Sequence, residues 1–214
     1  GALARLLPEV DRLFGIPQPP QHHPEVDTGV HVLLALRQAA RLSDDLCVRF
    51  AVLVHDLGKG TTPASELPRH RGHDHRGVPL VEAVCQRLRV PTACRDLGRL
   101  VAKLHLHCHM ALELRPQTVL RLFEQLDAFR RPERVEQFVL ACEADARGRT
   151  GLEDRPYPQR DYLHQAYAAA SAVNGGQFAA RGLRGLKIAE AVRRERIARI
   201  AAVKERWAQR AAAD

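Results

Sequence analysis

Apolar positions in this chain recur every three to four residues, and no stretch alternates apolar and polar residues as a strand does. The first clear helical pattern covers about 29–42, with Asp27 or Thr28 as its N-cap. The second carries VRFAVLVHD, begins at a polar cap within 43–45 and stops at Gly58. The pattern therefore predicts two consecutive amphipathic helices early in the chain.

Six further helices follow from the same periodicity, at about 75–89, 92–109, 116–128, 132–146, 159–173 and 186–211. Pro91, Pro116 and Pro132 lie at or near a first helical turn, where a missing N–H does no harm. Residues 15–26 and 60–74 are Pro-containing loops. We predict an all-α fold, with a helical bundle over 1–150 and peripheral helices over 151–214.

The composition is that of an ordinary globular protein: 214 residues, 45% hydrophobic and 27% charged. The net charge of +8 favours a polyanionic partner such as nucleic acid, although an Arg-rich composition alone is the alternative. Because no apolar run reaches membrane-spanning length, we expect a cytoplasmic protein with no membrane partner. The chain starts without Met, so we expect a piece of a longer protein.

The five cysteines are odd in number and form no CxxC pair. They therefore indicate neither a disulfide framework nor a zinc finger. Four of them look like small core residues on helices, which suits a reducing cytoplasm.

The histidines are unevenly distributed, since most of the 11 lie in the first half of the chain. Several of them lie where a metal site could use them. His31 lies in the first turns of one helix, and His55 and Asp56 end the next, in AVLVHDLGKG. A single buried histidine is usually a core residue with a hydrogen-bond partner. Together with Asp145 near a later helix end, however, these residues supply the imidazoles and carboxylates that a divalent metal requires. Asp127, also at a helix end, is a rival for the last ligand.

Other polar residues surround these positions. His73 opens a helix in GHDHRGV, while His105 and His109 are four residues apart and share a helix face. Lys59 could neutralise a phosphate oxygen, with a solvated turn lysine as the alternative. Arginines that could bind phosphate or RNA, or simply be solvated, are Arg69, Arg71, Arg76, Arg147 and Arg149. Histidines that could orient ligands or protonate a leaving group, with a structural role favoured for each, are His70, His75 and His109.

The order of His31, then His55-Asp56 within VHDLGKG, then Asp145 resembles the HD superfamily of metal-dependent phosphohydrolases. The phrases LFGIPQPPQHHPEVDTGVH, RFAVLVHDLGKGTTP, RHRGHDHRGV and RVEQFVLACEADARGRTG narrow this likeness. They resemble the C-terminal HD region of bacterial tRNA nucleotidyltransferases, the CCA-adding enzymes of the gammaproteobacterial type. His73 with Gly77 resembles the HxxxG element of the superfamily.

The resemblance implies an HD phosphohydrolase domain over 1–150, in which residues 1–26 form an entry segment. It also implies a C-terminal helical extension over 151–214. It implies 2′,3′-cyclic phosphodiesterase, 2′-nucleotidase and phosphatase activity, on nucleotides and the tRNA 3′ end. His105 resembles the extra histidine of two-metal members. The implied ligands of one or two divalent ions are His31, His55, Asp56, His73, His105 and Asp145. From their own chemistry, the candidate catalytic residues are Asp56, Lys59 and His109. The ion could be Ni²⁺, Mn²⁺, Co²⁺ or Mg²⁺, and the many histidines favour a transition metal.

No Gly-rich nucleotide loop followed by paired acidic residues on strands is present in this sequence. We therefore expect that the chain does not add CCA itself and that the polymerising head is absent from it. The alternative function is a tRNA-binding or homodimerisation module with little catalysis of its own. A (p)ppGpp or deoxynucleotide phosphohydrolase would share four ligands, but the phrases quoted above argue against it.

Overall fold

The computed structural model describes residues 1–211, and within that range the chain is helical with no strand. The helices are α1 (Ala2–Leu6), α2 (Pro8–Asp11), α3 (Thr28–Leu42), α4 (Leu46–Val54), α5 (His73–Leu88), α6 (Thr92–His109), α7 (Pro116–Gln125), α8 (Glu133–Arg147), α9 (Pro158–Ser171), α10 (Gly176–Ala179) and α11 (Leu186–Ala211). Short 3₁₀ helices cover Leu57–Thr61 and Ala64–Glu66. The predicted all-α fold is confirmed.

The helix boundaries follow local chemistry. The Asp27 carboxylate accepts from the Val30 amide at 2.9 Å and caps α3. Asp45 caps α4 in the same way. The second helix was predicted to run to Gly58, but its α-helical part ends at Val54 and a 3₁₀ helix continues the chain. The short helices α1, α2 and α10 were not predicted, because four or five residues cannot display a helical period.

The chain forms two compact units. The first comprises residues 1–109 and 137–157, and the second comprises residues 110–136 and 158–211. The boundary near residue 150 remains a prediction. Within residues 1–211, no helix combines the length and the apolar character needed to cross a membrane.

In the first unit, α4 packs against α3 and α6, and α5 packs against α6 and the Leu57–Thr61 turn. One apolar cluster at this junction contains Val10, Leu13, Val32, Val54, Leu57, Val81, Val84, Cys85 and Ala102. The turn touches α5 so closely that a Cβ on Gly58 would collide with the His73 carbonyl oxygen. It would also lie 2.7 Å from the Gly77 amide nitrogen. Glycine at position 58 therefore lets the end of α4 meet the start of α5.

In the second unit, α11 packs against α7 and α9. The Arg196 guanidinium lies 3.6 Å above the Phe129 ring, and the Tyr167 hydroxyl donates to the Ala128 carbonyl at 2.8 Å. The Lys204 ammonium donates to the Leu114 carbonyl at 2.7 Å. Two basic residues of α11, Arg196 and Lys204, therefore stabilise this unit.

The cysteines correct one expectation from the sequence. Cys47, at the start of α4, and Cys94, in the first turn of α6, form a disulfide. Cys85, Cys108 and Cys142 are free and buried. Counts and spacings could not reveal this pair, because the packing of α4 against α6 brings together residues 47 positions apart.

Candidate metal centre

The six side chains predicted as metal ligands converge inside the first unit, and all are buried. They are His31 on α3, His55 and Asp56 after α4, His73 on α5, His105 on α6 and Asp145 on α8. His31, His55 and Asp145 form what we name the first ligand group, and Asp56, His73 and His105 form the second. Within each group, one ligand atom per residue lies within 4.8 Å of the others. A single cation could contact all three residues of either group.

In the first ligand group, the Asp145 carboxylate faces two imidazoles. Its Oδ1 lies 2.9 Å from His31 Nε2 and 3.7 Å from His55 Nε2. His55 Nε2 also lies 3.2 Å from Asp56 Oδ2, yet it has no hydrogen-bond partner. Once it loses its proton, a buried ring nitrogen directed at two carboxylates can donate its lone pair to a cation.

In the second ligand group, Asp56 Oδ1 lies 3.4 Å from His73 Nε2 and 3.8 Å from His105 Nε2. The two ring nitrogens are 3.3 Å apart. Asp56 Oδ1 is buried without a hydrogen-bond partner, which is costly for a carboxylate. Because Oδ2 of the same carboxylate faces His55, Asp56 lies between the two groups.

The other ring nitrogen of each histidine is held by the backbone. These Nδ1 contacts are His31 to Gly148 O at 3.2 Å, His55 to Val52 O at 2.7 Å, His73 to His70 O at 2.7 Å and His105 to Val101 O at 3.0 Å. A carbonyl oxygen can only accept, so it requires a proton on Nδ1. Each Nε2 is thereby directed toward the centre, where it could bind a cation in its deprotonated form.

The electrostatics differ between the two groups. Burial lowers the pKa of His55, but the Asp56 and Asp145 carboxylates outweigh burial and raise it to about 10. Burial dominates at His105 and lowers its pKa to about 3. Burial opposes ionisation of both carboxylates, yet His55 with other cationic neighbours holds the pKa of Asp56 and of Asp145 well below the usual range. Both carboxylates are thus ionised, the form that binds a cation.

Lys59 is only 6% exposed, so it is not a solvated turn lysine. Its Nζ lies 2.6 Å from Asp56 Oδ2 and 2.6 Å from Gln18 Oε1. The ammonium can only donate, which assigns the acceptor oxygen of Gln18 to this contact. The buried Gln18 Nε2 has no partner. Sequence reasoning missed Gln18, which lies in the proline-rich segment without any periodic signal.

His109 lies beside the first ligand group. Its Nε2 is 2.7 Å from Asp145 Oδ2, and its Nδ1 is 3.0 Å from the Tyr157 hydroxyl. Tyr157 was also missed, because it lies 48 residues further along the chain and only tertiary packing brings it to His109. The predicted catalytic histidine therefore connects a buried carboxylate to a phenol.

Three of the five predicted arginines lie together at one cavity. Arg69, Arg71 and Arg76 line a cavity of about 700 Å³. The Arg76 guanidinium donates to the Thr61 and Thr62 hydroxyls, both at 3.0 Å, and so holds this loop. Arg69 and Arg71 are exposed and free to meet a ligand in the cavity.

The remaining predicted arginines and histidines are placed as follows. Arg147 pairs with Glu143 at 2.8 Å, and Arg149 Nε is buried without a hydrogen-bond partner. His70 Nδ1 lies 2.8 Å from the Thr62 hydroxyl, while the carbonyl of His70 holds His73. His75 is exposed and lies outside both ligand groups.

The rival carboxylate Asp127 belongs to the second unit. Its Oδ1 lies 3.7 Å from Arg130 Nε, as expected for a residue that stabilises a helix end. Asp145 instead lies with His31 and His55. This placement favours Asp145 as the last ligand.

Comparisons with known proteins agree with the geometry. The family model described as "HD domain" matches residues 28–146. The chain is 63% identical over 203 residues to the Multifunctional CCA protein of Alkalilimnicola ehrlichii, covering 95% of this chain and 49% of that protein. Identity is 59% to the protein of the same name from Thioalkalivibrio sulfidiphilus, covering 97% and 51%, and 56% to that from Pseudomonas aeruginosa, covering 96% and 50%. The chain thus spans about half the length of these relatives. No solved structure matches it.

Proposed function

We propose that this chain, which belongs to the HD-domain family, is a metal-dependent phosphohydrolase acting on 2′,3′-cyclic and 2′-phosphorylated nucleotides. One observation carries the proposal: Asp56 belongs to the second buried ligand group and also faces His55 of the first, while its Oδ1 has no hydrogen-bond partner. An unpaired buried carboxylate oxygen beside neutral imidazoles suits a cation better than any protein donor.

The donor set fits one or two divalent ions. His31, His55 and Asp145 would hold one, and Asp56, His73 and His105 would hold the other. Imidazole-rich ligands favour Ni²⁺, Mn²⁺ or Co²⁺ over Mg²⁺. The bound cations would polarise the phosphate and lower the pKa of the attacking water.

The chain itself supplies charge and proton control around that chemistry. The Lys59 ammonium, held between Asp56 and Gln18, would neutralise a phosphate oxygen. The unpaired Gln18 amide nitrogen would offer the same phosphate a hydrogen bond. His109, held by Asp145 and Tyr157, would deliver a proton to the leaving oxygen.

The substrate class follows from charge and from the relatives. Arg69 and Arg71 are exposed at a cavity of about 700 Å³, where they would meet RNA phosphates. The relatives are named Multifunctional CCA protein, which supports a tRNA 3′ end as the natural substrate. The polymerising head of such a protein would lie outside this chain. We also propose that two copies of the chain can form a homodimer.

The test is hydrolysis of 2′,3′-cyclic AMP by the metal-stripped chain, supplied with Ni²⁺, Mn²⁺, Co²⁺ or Mg²⁺ in turn. We expect metal-dependent ring opening that Asp56→Ala abolishes. His107→Ala is the matched control, since His107 lies on the same helix as His105 but in neither ligand group. A folded chain without turnover under any metal would reject the proposal and favour a tRNA-binding or dimerisation module.

A further inference from the structure

Glu25 is a buried carboxylate beside the first ligand group that the sequence patterns did not single out. Its side chain is 1% exposed, although it belongs to the proline-rich segment before α3. Its Oε1 lies 3.0 Å from His31 Nδ1 and 3.0 Å from His23 Nδ1. Its Oε2 accepts from the Thr150 amide at 3.3 Å.

The backbone holds Glu25 in this position. Val26 has φ +58°, a conformation that β-branched residues rarely adopt. Around it, the Asp27 amide donates to the Glu25 carbonyl at 2.6 Å, and the Gln18 amide donates to the Val26 carbonyl at 2.7 Å. Such a backbone conformation persists only where the surrounding structure determines it. The turn therefore keeps the carboxylate directed at His31.

The cluster of His23, Glu25 and His31 also has the spacing of a metal site. His31, however, uses Nε2 toward Asp145 in the first ligand group, at 2.9 Å. A neutral imidazole has one lone pair, so it cannot bind an ion on Nδ1 while its Nε2 binds another. The Nδ1–H of His31 is accordingly shared between the Glu25 carboxylate at 3.0 Å and the Gly148 carbonyl at 3.2 Å.

We infer that Glu25 is a positioning residue of the metal centre, acting through His31. Its carboxylate holds the proton on Nδ1, orients the ring and increases the basicity of Nε2 toward a cation in the first ligand group. This inference rests on the proposed function, since it presumes that the first ligand group binds a metal.

The experiment is calorimetric titration of the metal-stripped chain with Mn²⁺ alone, comparing the parent chain with Glu25→Gln. Glutamine keeps the shape but presents an NH₂ group either to the two histidines or to the Thr150 amide. We expect Mn²⁺ affinity at one site to fall about 10- to 100-fold, the usual effect of losing a partner of a ligating histidine. Glu9→Gln, which breaks an ion pair with Arg87 elsewhere in the same unit, should leave affinity unchanged.

Two further measurements separate positioning from a general structural role. The Nδ1 proton resonance of His31, assigned by its loss in His31→Ala, should shift in Glu25→Gln and stay in place in Glu9→Gln. His23→Ala should keep the number of bound ions, because His23 shares the Glu25 oxygen but belongs to neither ligand group. If Glu25→Gln does not fold, Glu25→Asp, whose shorter side chain cannot reach His31, takes its place with the same expected loss.

The outcomes are distinguishable. A parent chain that binds no Mn²⁺ refutes the proposed function. A parent chain that binds Mn²⁺ while Glu25→Gln binds it equally well refutes the inference alone. Loss of one bound ion in His23→Ala also overturns it, because the cluster would then be a metal site itself.

Discussion

The two ligand groups meet at Asp56, but their buried carboxylates differ in the hydrogen-bond partners they have. In the first, the Asp145 carboxylate already touches His31 and His109, at 2.9 and 2.7 Å. In the second, Asp56 Oδ1 faces His73 and His105 without a hydrogen bond. The Asp145 carboxylate thus has histidine partners on both oxygens, whereas Asp56 is paired with Lys59 through Oδ2 and leaves Oδ1 without a hydrogen bond.

The difference assigns separate roles to the two groups. The first is stabilised by its own contacts and by partners such as Glu25, so it forms a preorganised site. The second depends on a cation for its open oxygen, and it lies against the turn that also carries Lys59. We expect the first group to anchor a metal and the second to complete the reaction site.

The largest effect is expected from removing the Asp56 carboxylate, which faces both groups. Asp56→Ala should lower hydrolysis of 2′,3′-cyclic AMP by on the order of 10³-fold or more, since cation charge stabilisation is worth several kcal/mol. Turnover assays and metal content by mass spectrometry check this result. Asp56→Asn, which keeps the shape, should lose activity equally. Full activity in either variant would remove Asp56 from the centre.

A smaller effect should come from a residue that belongs to the second group alone. His105→Ala leaves the first group intact, so we expect the bound ions to fall from two to one and the rate to fall roughly 10²-fold. The ions per chain can be counted after equilibrium dialysis. His107→Ala, on the same helix, is the control. Equal loss of both ions would show that the groups do not act separately.

The packing that joins the groups can be weakened without touching a ligand. Gly58→Ala places a Cβ against the His73 carbonyl, so we expect about 1–3 kcal/mol of destabilisation in denaturant unfolding. His73 should move more than His31, and the second ion should weaken first. Gly151→Ala is not a suitable control, because alanine at a φ of +80° would strain the backbone. Gly1→Ala has nothing within 4 Å and serves instead. Unchanged stability would contradict the close approach.

The smallest effect is expected from Glu9→Gln, a change outside both groups. Arg87 bonds to the Glu9 carboxylate and lowers its pKa below the usual 4.5. The pair therefore adds stability above pH 4.5, and this stability is lost as pH falls through the lowered pKa. Unfolding of Glu9→Gln should differ from the parent at neutral pH and converge with it in acid, with metal affinity unchanged. A constant difference across pH would exclude this ion pair as its cause.

The helical period explains which parts could be predicted. It placed His105 and His109 on one face of α6, and helix ends marked His55, Asp56 and Asp145. The resemblance to HD proteins added His73. The helical residues among them lie on elements long enough to show a pattern, so their faces follow from spacing.

The features that could not be predicted depend on contacts between segments that are distant in sequence. Glu25 and Gln18 lie in a proline-rich segment without periodicity, and Tyr157 reaches His109 from 48 residues away. The Cys47–Cys94 pair likewise requires α4 to pack on α6. Nothing local distinguishes such residues until the helices are placed in three dimensions.

The most direct test of the central claim is anomalous diffraction from crystals of the chain grown with Mn²⁺. The account predicts anomalous peaks at the two ligand groups, one among His31, His55 and Asp145 and the other among Asp56, His73 and His105. Peaks at the cluster of His23, Glu25 and His31 alone, or no peak beside Asp56, would contradict it.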